Sequence, residues 1–397
     1  MFTQNSHAPL AQPTTLPDYD RPSGLPAFKT VEDAIAAYDG DDAIHVLYPQ
    51  VIADAAETFL SGFPGQVLYA VKANPHPAVL RILWSAGIRN FDVASIREID
   101  LVRQIAPGGD LYLMHPVKSR KTIRHAYENG VRHMSLDCLA ELDKIIEETG
   151  GATDLNLHVR LSVPSDGSAM PLVGKFGADF ETAVDVLRAA RPFASKLGVC
   201  FHVGSQCMDV EAYARAIAYV RRLVDEAGVR IDSLDCGGGF PVSYPGLSPN
   251  PMATYFEAIR QALRANDFGD IDIIGEPGRA LCAEGGSTLT RVELRKGQDL
   301  YINDGSYGSL FDAAQCGWKF PVRRVSGEAE DGTTTGFRLF GPTCDSLDVM
   351  EGPFNLPSDI DEGDWIEVQN LGAYGQTLAT DFNGFQSDAT VAVMKGI

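Results

Sequence analysis

The sequence predicts an α/β protein in which a TIM-type (β/α)8 barrel is followed by an antiparallel β domain. Short apolar runs alternate with longer amphipathic stretches from about residue 45. Strands buried in a parallel sheet have such continuous apolar sequences. Eight strand–helix units precede Pro277, which fits a closed barrel better than an open doubly wound sheet. After Pro277 the strands are broken by Gly, Asp and Pro, and helical periodicity is weak.

The barrel region begins with a first strand at His45–Tyr48, and eight candidate barrel strands follow it. Those eight are Val67–Lys72, Phe91–Ser95, Leu111–His115, His133–Asp137, Leu155–Ser162, Val199–Ser205, Leu234–Gly238 and Ile271–Glu276. Helical patterns separate them. Pro77–Trp84 and Tyr213–Val220 place apolar residues three and four positions apart, a spacing that buries one face of a helix.

The chain is predicted to have three parts. Residues 1–25 are polar and rich in proline, which indicates a flexible N-terminal arm. Residues 45–280 form the barrel, and residues 281–397 form the β domain, to which a strand from residues 26–44 is a candidate addition. The candidate strands of the β domain are Thr288–Arg295, Asp299–Asn303, Phe337–Phe340 and Trp365–Gln369.

The composition argues against several classes of partner. The 397 residues include 33 basic and 53 acidic side chains, which give a formal net charge of −20. Nucleic acids and anionic membranes both attract basic surfaces, so we expect neither as a partner. No apolar run of membrane length and no signal peptide are recognised. The seven cysteines are scattered without CxxC spacing, as is typical of reduced thiols in a cytoplasmic protein.

Polar side chains stand at the C-terminal ends of nearly all predicted barrel strands, where barrel enzymes place their chemistry. Lys72 ends the first of these strands and precedes an Asn-Pro turn. A lysine that faces a pocket at such a place is partly desolvated, which makes its amine a candidate nucleophile. The other strand ends carry Asp92 with Ser95, His115, Asp137, Arg160, His202 with Ser205, Gly237–Gly239, and Glu276 with Arg279.

Several of these residues have a purely structural alternative. His115 precedes a proline and suits a turn, Asp137 suits the cap of the next helix, and Gly237–Gly239 suit a tight turn. Beside Ser205 and Arg279, however, the glycine N–H groups predict a phosphate pocket, since a guanidinium adds a permanently charged partner.

Metal and hydrolase chemistry are the rival classes of site. His115, Asp137, His158 and His202 could ligate a divalent ion, but neither HxH nor HExxH spacing is present. No metal site is therefore predicted. A Ser-His-Asp hydrolase is also disfavoured, because the sequence has no GxSxG elbow.

Seven motifs, in order along the chain, resemble those of the fold-type III pyridoxal-phosphate decarboxylases. They are Tyr69–Asn74, Phe91–Ser95, His202–Gln206, Gly237–Phe240, Gly275–Arg279, Gly341–Asp345 with Asp348, and Gly372–Tyr374 with Phe382–Phe385. The resemblance covers about residues 45 to 390 and is greatest to the ornithine decarboxylase branch. The diaminopimelate branch typically has Glu at the position of Asp345. The resemblance implies an alanine-racemase-like barrel that binds pyridoxal 5'-phosphate (PLP).

The resemblance also implies a role for each matched residue of the barrel. Lys72 would be the Schiff-base lysine. Glu276 would face the pyridine nitrogen and keep it protonated, and His202 would stack on the ring. Asp92 and Arg160 would support the lysine and the ring. The phosphate would be bound by Ser205, Gly237, Gly238, Gly239, Arg279 and Tyr374.

The substrate side of the site is implied by the same resemblance. Cys344 would protonate the substrate carbon after CO2 leaves, and Asp345 would meet the distal ammonium of the substrate. In this family the loop that carries both residues enters the active site of the other subunit, which implies a homodimer with shared sites. Ornithine decarboxylases usually place a Tyr-Asp pair where this chain has Gln315-Cys316. Asp312, one helical turn earlier, and Tyr307 are further candidates for substrate binding.

The leading hypothesis is a cytoplasmic decarboxylase that converts a basic diamino acid, with L-ornithine first, into its diamine for polyamine synthesis. Lysine, both amino acids, or another diamino acid remain alternatives because of the Gln315-Cys316 departure. An amino-acid racemase of this type usually has Arg opposite the pyridine nitrogen, which Glu276 does not match. A regulatory homologue without catalysis is disfavoured because Lys72, Glu276 and Cys344 are all retained.

Overall fold

The computed structural model describes residues 24–164, 167–170, 174–325, 327 and 332–394. The predicted N-terminal arm, residues 1–25, lies outside these residues except for its last two positions. The chain forms two compact units. One comprises Ala55–Ser243 and Ser248–Leu281, and the other comprises the chain up to Asp54, Tyr244–Leu247 and the chain from Cys282 onward.

The strands and helices are numbered here in chain order. The strands are β1 (Ala27–Phe28), β2 (Ile44–Leu47), β3 (Gln66–Ala70), β4 (Asn90–Val93), β5 (Asp110–Leu113), β6 (His133–Leu136), β7 (Leu155–Arg160), β8 (Ser168–Met170), β9 (Ala194–Cys200), β10 (Ser205–Cys207), β11 (Ser233–Asp235), β12 (Asp272–Gly275), β13 (Gly286–Lys296), β14 (Asp299–Ile302), β15 (Val322–Arg324), β16 (Thr334–Phe340), β17 (Val349–Pro357), β18 (Trp365–Val368) and β19 (Thr390–Val393). The helices are α1 (Val31–Ala37), α2 (Pro49–Gly62), α3 (Pro77–Ser85), α4 (Ile96–Ile105), α5 (Arg120–Glu128), α6 (Leu139–Glu148), α7 (Phe180–Ala190), α8 (Glu211–Ala227), α9 (Met252–Ala265), α10 (Arg279–Cys282) and α11 (Phe311–Gln315).

Eight parallel strands close into a barrel in the order β3-β4-β5-β6-β7-β9-β11-β12, and β12 pairs with β3 to complete it. Each contains part of one predicted barrel strand, so the predicted fold class is confirmed. The predicted strands run past the observed ends, because the last polar residues leave the ladder for the loops at the barrel mouth. Lys72, for example, lies on a short 3-10 turn, Val71–Ala73, that follows β3.

Local sequence explains where the barrel helices begin and end. Ser95 Oγ accepts the Glu98 N–H at 3.3 Å, and Glu98 Oε2 accepts the Ala94 N–H at 2.6 Å. These two bonds resemble a capping box at the start of α4. Helix α8 ends at Gly228, whose φ of +63° allows the left-handed cap that side chains disfavour.

The second unit contains a nine-stranded sheet with a path of β1-β19-β2-β13-β14-β16-β17, to which β15 and β18 are joined. The sheet is mixed rather than wholly antiparallel as predicted, because β1–β19, β19–β2 and β14–β16 are parallel pairs. The predicted first strand, His45–Tyr48, corresponds to β2, which belongs to this sheet and pairs with β13. The buried Val31 and Ala34 of helix α1 belong to one hydrophobic cluster with Ile44 and Val46 of β2.

Among the described residues, no helix combines the length and the apolar composition that a membrane crossing requires.

Candidate active site

Lys72 and Asp92 form an ion pair at the C-terminal ends of β3 and β4. The Lys72 Nζ lies 3.3 Å from Asp92 Oδ2, and the lysine side chain is 54% exposed whereas that of Asp92 is 6% exposed. The register of the two strands sets this proximity, since Ala70 on β3 is opposite Asp92 on β4. Asp92 therefore holds the amine at the mouth of the barrel while leaving it accessible to a ligand.

Glu276 follows β12 and is almost completely buried. Its backbone N–H donates to Gly237 O at 2.8 Å, which fixes the backbone position from which the side chain extends. Burial raises the pKa of Glu276 well above its ordinary value, and the negative charges of Asp235 and Asp92 add to this effect. Glu276 Oε1 has no hydrogen-bond donor among the described residues. A buried carboxyl oxygen without a donor suits a ligand that brings its own N–H group.

His202 follows β9 and is held in a single tautomer when neutral. Its Nδ1 accepts the Gly204 N–H at 3.0 Å, which leaves the proton on Nε2. Burial lowers the pKa of His202 well below its ordinary value, helped by the positive charges of Arg160 and Lys72. The side chain is therefore a neutral, flat ring in the barrel mouth, a suitable surface for stacking on an aromatic ligand.

Gly237–Gly239 form a loop that passes too close to its neighbours for any side chain. The φ angles of Gly237 and Gly239 are +67° and +95°, a region that favours glycine. A Cβ on Gly237 would lie 2.1 Å from Phe201 O, and one on Gly238 would lie 2.6 Å from Glu276 O. The loop thus excludes side chains, as a phosphate cradle requires, although the Gly237 N–H is already donated to Asp235 Oδ1 at 2.8 Å.

The remaining predicted phosphate ligands lie on different parts of the fold. Ser205 begins β10, which pairs with β8. Arg279 is the first residue of α10 and is buried. Tyr374 belongs to the unit that contains the mixed sheet, and it has a φ of +58°. The barrel unit therefore carries Lys72, Asp92, Arg160, His202, Ser205, Gly237–Gly239, Glu276 and Arg279.

Two polar residues at the barrel mouth have structural roles. His115 Nδ1 accepts the Val117 N–H at 3.2 Å and so stabilises the turn around Pro116. This is the structural role that the sequence offered as an alternative to catalysis. Asp137 also has a structural role, but it is not the helix cap that was its structural alternative. Cys138 occupies the N-cap of α6, and Asp137 Oδ2 instead accepts the Gly177 N–H at 2.9 Å. The carboxylate joins the β6 end to the loop after β7, a contact that only the tertiary fold creates.

Sequence reasoning missed Asp235, the last residue of β11. Its side chain is completely buried, and Oδ1 accepts the Gly237 N–H at 2.8 Å. Burial raises the pKa of Asp235 to about 6, although the Gly237 N–H and the Glu276 side chain act to lower it. The available signal was an acidic residue between Leu234 and Cys236 in an apolar strand, since a buried carboxyl needs a partner.

Cys344 and Asp345 lie on one loop of the mixed-sheet unit. The Tyr307 O–H donates to Asp345 Oδ2 at 2.5 Å, and the Leu347 N–H donates to Asp345 Oδ1 at 3.0 Å. The Tyr307 hydrogen bond lowers the pKa of Asp345, and the Leu347 bond adds to the effect. Cys344 is exposed. The loop thus presents a thiol beside a carboxylate that is ionised at neutral pH.

Two other residues hold this loop in place. The buried Asp348 accepts hydrogen bonds from the backbone N–H and hydroxyl groups of both Ser306 and Thr343, at 2.7 to 3.1 Å. On the other side, Asn383 Oδ1 accepts the Cys344 N–H at 3.0 Å. Asn383 was part of a recognised motif, but its contact with Cys344 spans 39 positions and has no local sequence signal.

The candidates for substrate selection on α11 differ in exposure. Asp312 is buried within α11, whereas Gln315 and Cys316 are exposed at its end. The carboxylate and the exposed pair therefore do not share one surface of this short helix.

Comparison with known proteins identifies relatives that are decarboxylases. Residues 50–283 match the family described as pyridoxal-dependent decarboxylase, pyridoxal binding domain. A lysine/ornithine decarboxylase of Selenomonas ruminantium is 35% identical over 335 residues, 82% of each chain. The relatives also include an antizyme inhibitor 2 of Xenopus laevis, 32% identical over 83% of this chain and 76% of its own.

Solved structures share the fold over most of the chain. The arginine decarboxylase of Paramecium bursaria Chlorella virus, bound to agmatine, superposes with a TM-score of 0.82 at 26% identity, covering 92% of this chain and 99% of its own. The lysine/ornithine decarboxylase of Vibrio vulnificus, complexed with putrescine, gives 0.79 at 30% identity over 91% and 97%. Taken with the site described above, these likenesses show that the chain belongs to the fold-type III PLP-dependent decarboxylases, in the ornithine/lysine decarboxylase branch.

Proposed function

We propose that this chain decarboxylates L-ornithine to putrescine in polyamine biosynthesis, within the PLP-dependent diamino-acid decarboxylation of its branch. The observation that carries the proposal is the loop on which the Cys344 thiol is followed directly by the Asp345 carboxylate. Asp345 is held as an anion by Tyr307. A fixed anion suits the distal ammonium of a diamino acid, and the adjacent thiol suits a proton donor to the reacting carbon.

The barrel residues would bind and orient the cofactor. PLP supplies an electron sink for the carbanion that remains when CO2 leaves. Lys72, aligned by Asp92, would hold it covalently, and Glu276 would hold a proton at the pyridine nitrogen. Neutral His202 would cover one ring face without adding a competing charge, and Arg160 would support the ring. The phosphate would be bound by Ser205, Gly237, Gly238, Gly239, Arg279 and Tyr374.

Cys344 would supply the proton that completes the reaction. Its Sγ would give a proton to the substrate carbon from which CO2 has left, and solvent would return a proton to the exposed thiolate. Tyr307 and Asp312 are proposed to complete the substrate pocket. Tyr307 would do so by holding Asp345 Oδ2; Asp345 Oδ1 accepts the Leu347 N–H, and its second lone pair would accept from the substrate ammonium.

We further propose a homodimer whose two active sites are shared between subunits. Large apolar side chains remain exposed around the Cys344 loop. Leu347, three residues after Cys344, is 64% exposed, and Phe382 and Phe385, in the segment that contains Asn383, are 45% and 44% exposed. Exposed apolar side chains of this size are typical of surfaces that another protein covers. The family resemblance favours a second copy of the chain as the protein that covers this surface. We also propose a cytoplasmic location, because the scattered cysteines suit a reducing compartment.

Mixing two inactive variants tests the shared site. Lys72→Ala and Cys344→Ala would each be inactive alone, but random exchange of subunits would make half of the dimers mixed. Each mixed dimer would contain one site with both residues intact, so about a quarter of wild-type activity should return. If no activity returns although native mass spectrometry detects mixed dimers, Lys72 and Cys344 of one subunit serve the same site.

A substrate panel tests the reaction itself. Purified protein would be given ornithine, lysine, arginine, diaminobutyrate and diaminopimelate, and the amine products would be quantified. We expect the highest kcat/KM with ornithine. Asp345→Ala should raise KM for the preferred substrate far more than Asp359→Ala, a carboxylate that pairs with Arg324 on the same unit. Equal effects would remove Asp345 from the pocket, and no amine product from any substrate would refute the proposed activity.

The alternative substrate is lysine, alone or together with ornithine. The exposed Gln315 and Cys316 support it, because they replace the carboxylate-bearing pair that ornithine decarboxylases usually have. The relatives named lysine/ornithine decarboxylase support it as well. The Xenopus laevis relative is named an antizyme inhibitor. A regulatory role without catalysis is disfavoured for this chain, because the Lys72–Asp92 pair and the exposed Cys344 are both present.

A further inference from the structure

Two buried carboxyl groups meet at the ends of the neighbouring strands β11 and β12. Asp235 is the last residue of β11 and Glu276 follows β12, and the two strands are in register with Asp235 opposite Ile274. Gly237 binds both residues: its N–H donates to Asp235 Oδ1 at 2.8 Å, and its carbonyl accepts the Glu276 N–H at 2.8 Å. The first glycine of the cradle therefore fixes the two carboxyl groups relative to each other.

The two carboxyl groups have all the hydrogen-bond donors they need only if one of them keeps a proton. As two carboxylates, Asp235 Oδ2 and Glu276 Oε1 have no hydrogen-bond donor among the described residues. A proton on Glu276 would supply the missing donor, because its hydroxyl would then be available to Asp235 Oδ2. Two acidic groups that share a buried site commonly keep one proton between them, since both cannot ionise side by side.

The charges around Asp235 and Glu276 also favour one proton kept between the two carboxyl groups. The groups that act on Glu276 are Asp235 on β11, Asp92 on β4, Lys72 after β3 and Arg160 on β7. Three carboxyl groups thus face two cations, and a buried unpaired charge is costly. Burial keeps the neighbouring Cys200 thiol and His202 ring neutral, because it raises the pKa of the thiol and lowers that of the ring. One retained proton therefore brings the cluster to neutrality.

We propose that Asp235 is a positioning residue that keeps a proton on Glu276 in the cofactor-free protein and directs it to the pyridine nitrogen when the cofactor binds. The inference rests on the proposed placement of Glu276 against that nitrogen. One O–H bond of Glu276 breaks and one N–H bond of the ring forms, so the total charge of the cluster and ligand is unchanged. The positive ring would then take the place of the proton beside Glu276 and Asp235.

The Asp235 charge also keeps the proton on the ring after the transfer. An adjacent carboxylate makes Glu276 a stronger partner for a cation, so removal of that charge should release the ring proton more easily. A change of one pKa unit corresponds to about a tenfold change in the ratio of protonated to unprotonated ring, and the protonated fraction falls by nearly as much once the ring is mostly unprotonated. We expect Asp235→Asn to lower kcat about tenfold at neutral pH and to leave KM for the amino acid within about twofold, since Asp235 has no direct role in substrate binding.

The first measurement uses the cofactor-free protein, so it needs no catalysis. Asp235→Asn keeps the Oδ1 acceptor for the Gly237 N–H, removes the charge and replaces the Oδ2 acceptor with an N–H donor, which favours an ionised Glu276. Infrared difference spectra should show the C=O band of a buried neutral carboxyl group in the wild type and lose it in both Asp235→Asn and Glu276→Gln. Asp272→Asn is the matched control, because Asp272 lies on β12, is 44% exposed and pairs with Lys196. It should retain the band.

The second measurement follows protons during cofactor binding. Calorimetric titration of PLP in buffers of different ionisation enthalpy should show up to one more proton taken from the buffer by Asp235→Asn than by the wild type. A wild type without the neutral carboxyl band would overturn the proposal even if the variant failed to fold. So would a folded Asp235→Asn that keeps the band and takes up no additional proton.

The two possible failures are distinguishable. If Glu276→Gln binds PLP and turns over like the wild type, the proposed placement of Glu276 is wrong, and the inference falls with it. If Glu276→Gln is impaired while Asp235→Asn matches the wild type in spectrum, proton uptake and kcat, only the role of Asp235 is wrong.

Discussion

Asn383→Ala is expected to displace the loop that carries Cys344 and so to slow turnover while leaving PLP bound. Asn383 Oδ1 accepts the Cys344 N–H at 3.0 Å, and the asparagine backbone has a φ of +60°. The adjacent Phe382 ring packs against Tyr307 with 4.6 Å between ring centroids, and Tyr307 donates to Asp345. The short segment around Asn383 therefore supports both the thiol and the carboxylate.

The expected size of the effect follows from two separate contributions. A net hydrogen bond contributes about 1 kcal/mol. A residue with a Cβ in the left-handed region costs about 1 kcal/mol or more, and asparagine tolerates that region better than alanine does. Their sum of about 2 kcal/mol corresponds to about a 30-fold change in the population of the aligned loop. We expect kcat to fall by up to this factor.

A series of substitutions separates the two contributions. Asn383→Gly accepts the left-handed backbone but lacks the acceptor, so it should lose only about fivefold in kcat, as expected for about 1 kcal/mol. Asn383→Asp keeps an acceptor and should remain within about twofold of the wild type. Asp267→Ala is the control for backbone strain, because Asp267 has a φ of +55° in the loop between α9 and β12. It should lower stability without changing kcat.

Steady-state kinetics and thiol labelling check this prediction together. The rate of Cys344 alkylation by iodoacetamide, assigned by peptide mass mapping because Cys316 is also exposed, should change in parallel with kcat. The reasoning is refuted if Asn383→Ala and Asn383→Gly both keep wild-type kcat and labelling rate while only their unfolding midpoints fall. Asn383 would then contribute to stability alone.

Three further predictions concern the barrel. The pKa of His158 is lowered to about 3 by burial, so the folded state resists protonation. Its contribution to stability is complete above the ordinary pKa of 6.5 and is lost by up to about 1.4 kcal/mol per pH unit as the pH falls toward 3. Urea unfolding at pH 7 and pH 5 should show a smaller loss for His158→Gln than for the wild type or for His125→Gln at the surface; equal losses would contradict this. Gly237→Ala should unfold at lower urea and lose PLP, whereas Gly246→Ala, with a φ of +83° and open space around it, should cost only about 1 kcal/mol and keep PLP; loss of PLP from both would remove the steric argument. Lys72→Ala should abolish the borohydride-reducible link to PLP, and a link that survives would assign it to another lysine.

The catalytic end of the barrel was predictable because its signal is local. Each parallel strand has a continuous apolar sequence, and its C-terminal end is marked by a polar residue such as Lys72, Arg160 or Glu276. Closure then brings these ends to one face without any need to know the pairing in advance. The pairings of β2, by contrast, are with β13 and β19, more than 200 positions away in sequence. Nothing in Ile44–Leu47 itself specifies those partners.

The strands that were missed carry sequence features that usually argue against strands. Strand β17, Val349–Pro357, contains Gly352 and Pro353. Proline cannot donate a ladder hydrogen bond, but β17 is the last strand on the path of the sheet and has an open side. Its place at the edge, which only the completed sheet defines, makes the sequence compatible with a strand.

The proposed role of Asp345 would separate ornithine from lysine only weakly. Asp345 directly follows Cys344 in sequence, and a single carboxylate would attract the distal ammonium of either amino acid. The two amino acids differ by one methylene, and a pocket distinguishes one methylene by only about 1 to 3 kcal/mol. A second buried polar partner would sharpen the choice, because an unpaired polar group is far more costly than a small cavity. Gln315 and Cys316 are exposed and bring no carboxylate to that position. Selectivity for ornithine should therefore be modest, and appreciable turnover of lysine is the expected companion of the proposed activity.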